Sequence, residues 1–330
     1  MMLELLKKVL KPVAPSGLEE PVAAVIREEV APYVDSIETD ALGNLICVKN
    51  GTEANPEKIM LSAHMDHIGY IVTGIEKEGF LRVTNVGGIS PTMSLTRHVS
   101  FPNGVQGVVV SEVSKDTAMK DLFVDIGAQD KADAETMVQI GDVCVYANDC
   151  FQLGANRVAS PAMDDRAACA LLIRFLQTVG ATKQTIIAVF SVQEEVGCRG
   201  AKGAAFQQEP DVGIVLEGTT CNDLGDVPET AHVCEAGQGV AVSFMDGASI
   251  ANRALFRKAL DVAKQENIPH QVKHSVSGGN DGGAIQRARE GVPVVVLSVP
   301  CRYIHSPSSV VKLSDVESQF ALVKALVKAL

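Results

Sequence analysis

Acidic residues and histidines follow the ends of several apolar segments in this sequence. One apolar run ends in two adjacent carboxylates, Glu194 and Glu195. His64 and Glu217 come directly after two further apolar runs, and His305 lies shortly after a fourth. Carboxylates at the end of a buried strand are unfavourable unless a positive charge lies opposite them. Metal ions are the obvious source of that charge.

These side chains have the chemistry of a site for two metal ions. In open α/β sheets, ligands bind beyond the carboxyl ends of the strands, so residues that follow several strands are expected to converge there. Asp164 joins them from the start of a helical segment. Two imidazoles with three or four carboxylates suit two divalent transition ions that share a bridging carboxylate. Zinc, cobalt and manganese all fit such a set.

A centre of this kind is suited to the hydrolysis of an amide bond. Two ions roughly 3.5–4 Å apart can hold an activated water between them and polarise a carbonyl group. A carboxylate beyond the number needed as ligands can then serve as general base and general acid. The adjacent glutamates at 194 and 195 supply one such carboxylate.

The elements that must position these residues alternate between strand and helix patterns. The run over residues 185–193 is rich in β-branched and aromatic side chains, which predicts a strand buried on both faces of a parallel sheet. Further strands of the sheet are predicted at 44–49, 58–63, 212–216, 240–244, 271–274 and 294–299. Helices are predicted at 2–10, 167–179, 200–206, 251–265 and from about 314. Ser16 and Glu19 have the spacing of a capping box, which predicts a helix start. The pattern indicates an α/β fold.

A second pattern occupies the middle of the chain. Between about 68 and 156 the apolar runs are short and are broken at close intervals by Gly, Pro, Asn and Asp. The runs cover residues 80–86, 98–101, 106–110, 122–126 and 143–146. This predicts a small β-rich insert, either a sandwich or a barrel. We therefore expect residues 1–67 and 157–330 to form the main domain and residues 68–156 to form the insert.

Composition and charge exclude several classes of protein. The 330 residues are 46% hydrophobic, which is enough for a sizeable core, and the net charge of −11 without a basic run argues against a nucleic-acid partner. No apolar run reaches membrane-spanning length, and the charged N-terminal segment does not resemble a signal peptide, so we expect no membrane association. The eight cysteines are scattered without a C-x-x-C pair, which is typical of reduced residues in a cytoplasmic protein.

Five motifs together resemble those of a known family. In chain order they are His64-x-Asp66, Met163-Asp164-Asp165-Arg166, Gln193-Glu194-Glu195-Val196-Gly197, Leu216-Glu217 and Arg302-Tyr303-Ile304-His305-Ser306-Pro307. Their order and intervals are similar to those of the tetrahedral (TET) metallo-aminopeptidases, which include glutamyl and deblocking aminopeptidases and members labelled endoglucanase. The resemblance covers nearly the whole chain. It implies a zinc-peptidase-like mixed sheet flanked by helices and interrupted by a β-rich dimerisation domain.

The resemblance implies a role for each ligand. Asp164 resembles the carboxylate that bridges two metals. His64 and Glu217 would complete one metal, and Glu195 and His305 would complete the other. The cofactor expected from this set is a pair of divalent ions, with zinc first and cobalt or manganese as alternatives.

The resemblance also implies residues that act beside the metals. Glu194 corresponds to the catalytic general base and acid, and Asp66 to a residue that holds the ring of His64 and fixes its tautomer. Related peptidases often have a non-proline cis peptide bond after the bridging aspartate, so we expect one between Asp164 and Asp165.

Two positions depart from the family pattern. Glu217 stands where aspartate is commoner, and its extra methylene still allows it to reach a metal. His67 stands where the family usually has an acidic residue.

The implied function is that of a metal-dependent aminopeptidase that removes N-terminal residues from short peptides. The implied partners are copies of the chain itself, as dimers that assemble into a hollow tetrahedral dodecamer. Two alternatives stay open. A β-glucanase could use the glutamates as an acid and nucleophile pair, although sugar sites generally use aromatic platforms and this chain has no Trp and only 4% aromatic residues. A non-catalytic assembly protein would be expected to have lost ligands.

Overall fold

The computed structural model describes residues 2–112, 116–147, 150–276 and 278–330. Within these ranges, eleven strands form one large sheet, and six further strands form a closed barrel. The large sheet contains both parallel and antiparallel pairs and is flanked by helices. The prediction of a mixed α/β fold with a separate β-rich unit is therefore confirmed.

The helices occur before, within and after the barrel segment. They are α1 (Met2–Leu10), α2 (Glu20–Val30), α3 (Pro91–Ser94), α4 (Lys131–Met137), α5 (Met163–Thr178), α6 (Arg199–Gln208), α7 (Arg253–Gln265), α8 (Asp281–Gln286) and α9 (Leu313–Ala329). The strands of the large sheet are β1 (Ser36–Thr39), β2 (Leu45–Lys49), β3 (Lys58–His64), β10 (Phe151–Leu153), β11 (Arg157–Ser160), β12 (Thr185–Ser191), β13 (Val212–Thr220), β14 (Val240–Ser243), β15 (His270–Val272), β16 (Val294–Arg302) and β17 (Ser309–Lys312). The barrel strands are β4 (Gly69–Ile75), β5 (Leu81–Val86), β6 (His98–Ser100), β7 (Gln106–Ser111), β8 (Leu122–Asp125) and β9 (Val143–Tyr146).

Four neighbouring strands at the centre of the large sheet run parallel, in the order β12, β3, β13, β16. Their register aligns the carboxyl ends, since His64 lies opposite Ser191 in the β3 and β12 pair, and Glu217 lies opposite Ser298 in the β13 and β16 pair. Residues that follow these strands therefore emerge along one edge of the sheet. This alignment is the geometry that the sequence predicted for the ligands.

The two faces of the central strands pack against different helices. Along β12, Ile186 and Ala188 belong to the core shared with α1, α5 and α9, whereas Ile187 and Val189 belong to the core shared with α6 and α8. Alternate residues of a strand point to opposite faces, so a strand buried on both faces has a continuous apolar sequence. This explains the unbroken apolar run that leads to the two glutamates.

The barrel begins directly after the His64 segment. Its strand order is β4, β5, β8, β7, β6, β9, and Tyr70 and Tyr146 meet inside it in an edge-to-face contact with their hydroxyl oxygens 2.9 Å apart. The sequence did not predict β4, because glycines interrupt its alternating pattern. Strand β10 pairs with β11 in the large sheet, although it lies within the range expected for the insert. The domain boundaries stay a prediction.

The predicted capping box at Ser16 and Glu19 is wrong. Helix α2 begins at Glu20, and its N-cap residue Glu19 makes no side-chain cap hydrogen bond. Ser16 Oγ instead donates to Asp66 Oδ2 at 2.6 Å, and Glu19 Oε1 accepts from the backbone N–H groups of Gly17 and Gln193. Buried polar groups from distant parts of the chain take the place of the local cap. Within the described ranges, no helix is both long enough and apolar enough to cross a membrane.

Arg166 ties the N-terminal segment to the end of β3. Its side chain is fully buried, and its guanidinium donates to the backbone oxygens of Val9, Ala14 and Met65. These bonds join α5 to α1, to the loop after α1 and to the segment that follows His64. Burial lowers the pKa of Arg166 to about 10, so the group stays charged at neutral pH.

Replacing Arg166 with Met is expected to lower the free energy of unfolding by about 3–5 kcal/mol, because three buried carbonyl oxygens lose a charged donor. The unfolding midpoint in urea measures this change. Arg289→Met is the matched control, since Arg289 pairs with Glu209 at the surface and should contribute less than about 1 kcal/mol. Equal losses in the two variants would contradict the assigned role of Arg166.

Candidate metal centre

The structure brings the five expected ligands together at the carboxyl edge of the large sheet. Each comes from a different element or loop. His64 ends β3, Asp164 lies in the first turn of α5, and Glu217 lies within β13. Glu195 lies in the turn between β12 and α6, and His305 lies between β16 and β17.

Asp164 lies between the two histidines. Its Oδ1 is 3.5 Å from His64 Nε2, and its Oδ2 is 3.5 Å from His305 Nε2. A glutamate accompanies each histidine, with Glu217 Oε2 3.6 Å from His64 Nε2 and Glu195 Oε2 3.2 Å from His305 Nε2. The five side chains therefore divide into two groups that share one carboxylate. The expected cis peptide bond between Asp164 and Asp165 is present.

Asp66 connects His64 to the turn that carries the glutamates. His64 Nδ1 lies 3.0 Å from the backbone oxygen of Asp66 and 3.5 Å from its carboxylate, so Nδ1–H is the donor and Nε2 faces the carboxylates. The Asp66 carboxylate also accepts from the backbone N–H groups of Glu194 at 3.0 Å and Glu195 at 3.2 Å. Burial acts to raise the pKa of Asp66, but the hydrogen bonds from His64 and Ser16 outweigh it and lower the pKa.

Glu194 lies beside the group that contains His64. Its Oε2 is 3.9 Å from His64 Nε2, and its Oε1 accepts from the thiol of Cys198 at 3.3 Å. Burial, with the nearby charges of Asp281 and Glu195, raises the pKa of Glu194 to about 8. A carboxylate in this environment can both accept and release a proton near neutral pH.

The electrostatics of the cluster favour a cation. Burial acts to lower the pKa of His64, but the adjacent carboxylates of Asp164 and Asp66 raise it well above its usual value. Burial also opposes protonation of His305, yet Asp164 and Glu195 raise its pKa to about 10. The potential that holds protons on the two imidazoles would attract metal ions to the same nitrogens.

The donor atoms themselves fit divalent metals. Asp164 Oδ1, Glu195 Oε1 and Glu217 Oε1 are buried and have no hydrogen-bond partner within the described part of the chain. Buried carboxylate oxygens without a partner are unfavourable unless a cation binds them. Imidazole nitrogens and carboxylate oxygens are ligands for zinc and similar transition ions. The cluster can therefore hold metal.

A cavity of about 470 Å³ opens over the cluster. Asp164, Glu194 and His305 line its floor, and its other walls include Thr219, Lys273 and Ile304. The cavity gives a substrate access to the donor atoms while the sheet covers them from below.

Two buried acids near the cluster were not predicted from the sequence as site residues. Asp165 Oδ2 accepts from the backbone N–H of His64 at 3.3 Å, and burial raises the pKa of Asp165 well above its usual value. Asp281 Oδ2 accepts from Ser191 Oγ at 2.5 Å at the end of β12. The adjacent Asp164 and Asp165 in the sequence are a signal that could have identified Asp165. The glycine-rich turn around Asp281 matches no ligand motif, so the sequence offers no such signal there. His67, which departs from the family pattern, is buried, and burial lowers its pKa to about 3.

Comparison with known proteins identifies the family. The family model described as M42 glutamyl aminopeptidase matches residues 43–322. A lysyl aminopeptidase of Pyrococcus furiosus is 34% identical over 346 residues, covering 99% of this chain and 97% of the relative. A solved aminopeptidase structure from the archaeon Desulfurococcus kamchatkensis is 33% identical, with a TM-score of 0.96, and the match covers 100% of this chain and 95% of that one.

One further structure bears on assembly. The Pyrococcus horikoshii TET1 peptidase, described as able to assemble into a tetrahedron or a large octahedral shell, is 32% identical with a TM-score of 0.89, and both chains are covered completely. These matches extend over both the large sheet and the barrel. The chain therefore belongs to the M42 aminopeptidase family.

Proposed function

We propose that this chain is a two-metal aminopeptidase that removes N-terminal residues from short peptides. The observation that carries the proposal is the position of Asp164, whose two carboxylate oxygens each lie 3.5 Å from the Nε2 atom of a different histidine, His64 or His305. One carboxylate shared between two groups of N and O donors is an arrangement that suits a pair of divalent ions. Membership of an aminopeptidase family supports the same reaction.

The proposed ligands are divided between the two ions. His64, Asp164 and Glu217 would hold one ion, and Asp164, Glu195 and His305 would hold the other. When bound, two divalent ions supply a water of lowered pKa and polarise the scissile carbonyl group. Zinc is the proposed ion, and cobalt or manganese would fit the same donors.

Glu194 is the proposed general base and acid. Its carboxylate lies at the floor of the cavity beside His64, within reach of a water at the shared position. It would take a proton from that water as the water attacks the carbonyl carbon, and would then pass the proton to the amine that leaves. Asp66 would act through its neighbours, since it orients the ring of His64 and the backbone of Glu194.

The free α-amino group of the peptide is proposed to bind on the opposite side of the centre, near Glu195 and His305. The ion that Glu195 and His305 would hold could accept the lone pair of a neutral α-amino group. The cleaved bond is then the first peptide bond of the chain, because the carbonyl of the N-terminal residue lies next to Glu194.

Assembly into dimers, and of dimers into a tetrahedral dodecamer, is part of the proposal. The similarity to the Pyrococcus horikoshii TET1 peptidase supports it. The barrel is the proposed dimerisation unit, and it carries exposed apolar side chains such as Val108 and Ile140. In a hollow assembly, only short or unfolded peptides would reach the site. A cytoplasmic location is also proposed, because all eight cysteines are free.

Replacing Glu194 with Gln is expected to lower kcat for an aminoacyl arylamide by about 10²–10⁴-fold, because the amide cannot accept the proton of the water. After loading with two equivalents of metal, the variant should still hold two ions per chain. Glu53→Gln changes an exposed glutamate and serves as the control with normal turnover. Turnover near that of the unmodified enzyme in Glu194→Gln would refute the assignment.

Removal of metal by a chelator is expected to abolish peptide hydrolysis, and reloading with zinc, cobalt or manganese should restore it. The physical reason is that the carboxylates alone cannot polarise the carbonyl group. Activity is measured on a panel of aminoacyl arylamides with metal content followed in parallel. Full hydrolysis of the arylamides by exhaustively chelated protein would refute the two-metal mechanism.

The stabilisation that metal provides is expected to grow as pH rises. Burial raises the pKa of the proposed ligand Glu217 well above its usual value in the folded protein, so the proton on this carboxyl stabilises the metal-free fold at acid pH and that stabilisation is lost as pH rises. The raised pKa of His305 acts in the same direction between pH 6.5 and about 10. Bound metal replaces these protons, so the difference in Tm between the metal-loaded and metal-free protein should widen from pH 5 to pH 8. A difference that stays constant or narrows would contradict this electrostatic account.

A further inference from the structure

A second group of metal-binding atoms lies next to the proposed two-metal centre. Glu194, Cys198 and Asp281 each offer one atom, an oxygen, a sulfur and an oxygen, and these three atoms all lie within 4.8 Å of one another. None of the three is among the five proposed ligands of the centre. We infer that they form a third metal site, selective for thiophilic divalent ions such as zinc, and that its occupation inhibits the enzyme.

The turn after β12 places Cys198 over Glu194. The backbone N–H of Cys198 donates to the backbone oxygen of Glu194 at 2.9 Å, which closes a single helical turn between them. Cys198 then lies at the N-cap of α6 with a φ of 52°, and its Sγ is 3.3 Å from Glu194 Oε1. The thiol faces the cavity and is half-buried. Two of the three donors are therefore held together by local backbone geometry.

Asp281 supplies an independent sign that a cation belongs here. Its side chain is 1% exposed, and Oδ2 accepts from Ser191 Oγ at 2.5 Å and from Ser62 Oγ at 3.4 Å. Its Oδ1 is buried and has no hydrogen-bond partner among residues 2–112, 116–147, 150–276 and 278–330. The two serines hold one carboxylate oxygen, so the other is left to bind an ion.

The net charge of the region would remain negative with two divalent ions bound. Seven acidic side chains lie in or beside the two groups of donors, namely Asp66, Asp164, Asp165, Glu194, Glu195, Glu217 and Asp281. Two divalent ions would contribute only four positive charges. The buried guanidinium of Arg166 and the buried Lys273, which lines the cavity, add two more. A third ion would therefore enter a region that is still negative, and repulsion from the first two would be offset.

The donor set determines which ions can bind. A thiolate with two carboxylates suits zinc, cobalt or cadmium, whereas magnesium and manganese favour oxygen ligands over a thiolate. Binding forms a bond from the metal to Cys198 Sγ, and the thiol proton is released to the solvent. The third site should thus distinguish zinc from manganese even though both fit the proposed two-metal centre.

Inhibition follows from the double role of Glu194, and this step rests on the proposed function. A carboxylate that binds the third ion cannot also take a proton from the attacking water. The ion would therefore remove the general base without displacing either of the other metals. The enzyme would be most active with two ions bound and would lose activity as a third enters.

Binding can be tested separately from activity by titrating the metal-free enzyme with cobalt. The unmodified protein should bind three equivalents, and the last should produce the near-ultraviolet absorption of a cobalt–thiolate bond. Cys198→Ala should bind two equivalents without that band. Cys198→Ser, which keeps a side chain of similar volume without the thiol, should give the same result. Cys150→Ala, which removes a thiol that does not line the cavity, is the matched control and should behave as the unmodified protein.

Inhibition is tested by measuring aminopeptidase activity against free zinc. Activity of the unmodified enzyme and of Cys150→Ala should rise and then fall, whereas Cys198→Ala should need roughly 10–100-fold more zinc for the same inhibition. Manganese should activate without the later fall. A cobalt band that persists in Cys198→Ala, or equal zinc inhibition in both variants, would overturn the third site. Absence of peptidase activity at every metal level would count against the proposed function alone, because the cobalt titration still tests binding.

Discussion

Mutual repulsion between buried carboxylates is the constraint on which this structure depends. Asp164, Glu195 and Glu217 meet within a few ångströms of two imidazoles at the carboxyl edge of the sheet. Oxygens of all three acids lack hydrogen-bond partners in the described part of the chain. Packing on both faces of the central strands must therefore hold together groups that would separate in water.

Asp66 links the end of strand β3 to the turn that carries the two glutamates. It orients His64 on one side and binds the backbone N–H groups of Glu194 and Glu195 on the other. The turn that carries the glutamates contains left-handed backbone at Gln193 and Cys198, with φ values of 56° and 52°. Such conformations persist where surrounding contacts hold them. The bonds to Asp66 thus stabilise both a strained turn and the direction of its side chains.

The sequence allows the convergence of ligands to be predicted because four of the five lie close after a continuous apolar run, and such runs are typical of strands buried on both faces. Residues whose role depends on distant partners could not be predicted in this way. Ser16 and Glu19 have the spacing of a local cap, yet they bind Asp66 and Gln193 in other parts of the chain. Asp281 becomes prominent through its contacts with Ser191 of β12 and Ser62 of β3. Strand β4 was not predicted because its glycines interrupt the expected alternation of apolar and polar residues.

Glu194 and Glu195 are adjacent in sequence but face different neighbours, and this difference explains how one strand end can supply two functions. Glu195 points to His305 and Asp164, where fixed donors favour a bound ion. Glu194 instead lies between His64 and Cys198, and burial raises its pKa towards neutrality. The environment that makes Glu194 able to exchange a proton also leaves its oxygens open to a competing cation. The proposed sensitivity to a third metal ion is therefore a consequence of the position of Glu194 beside Cys198.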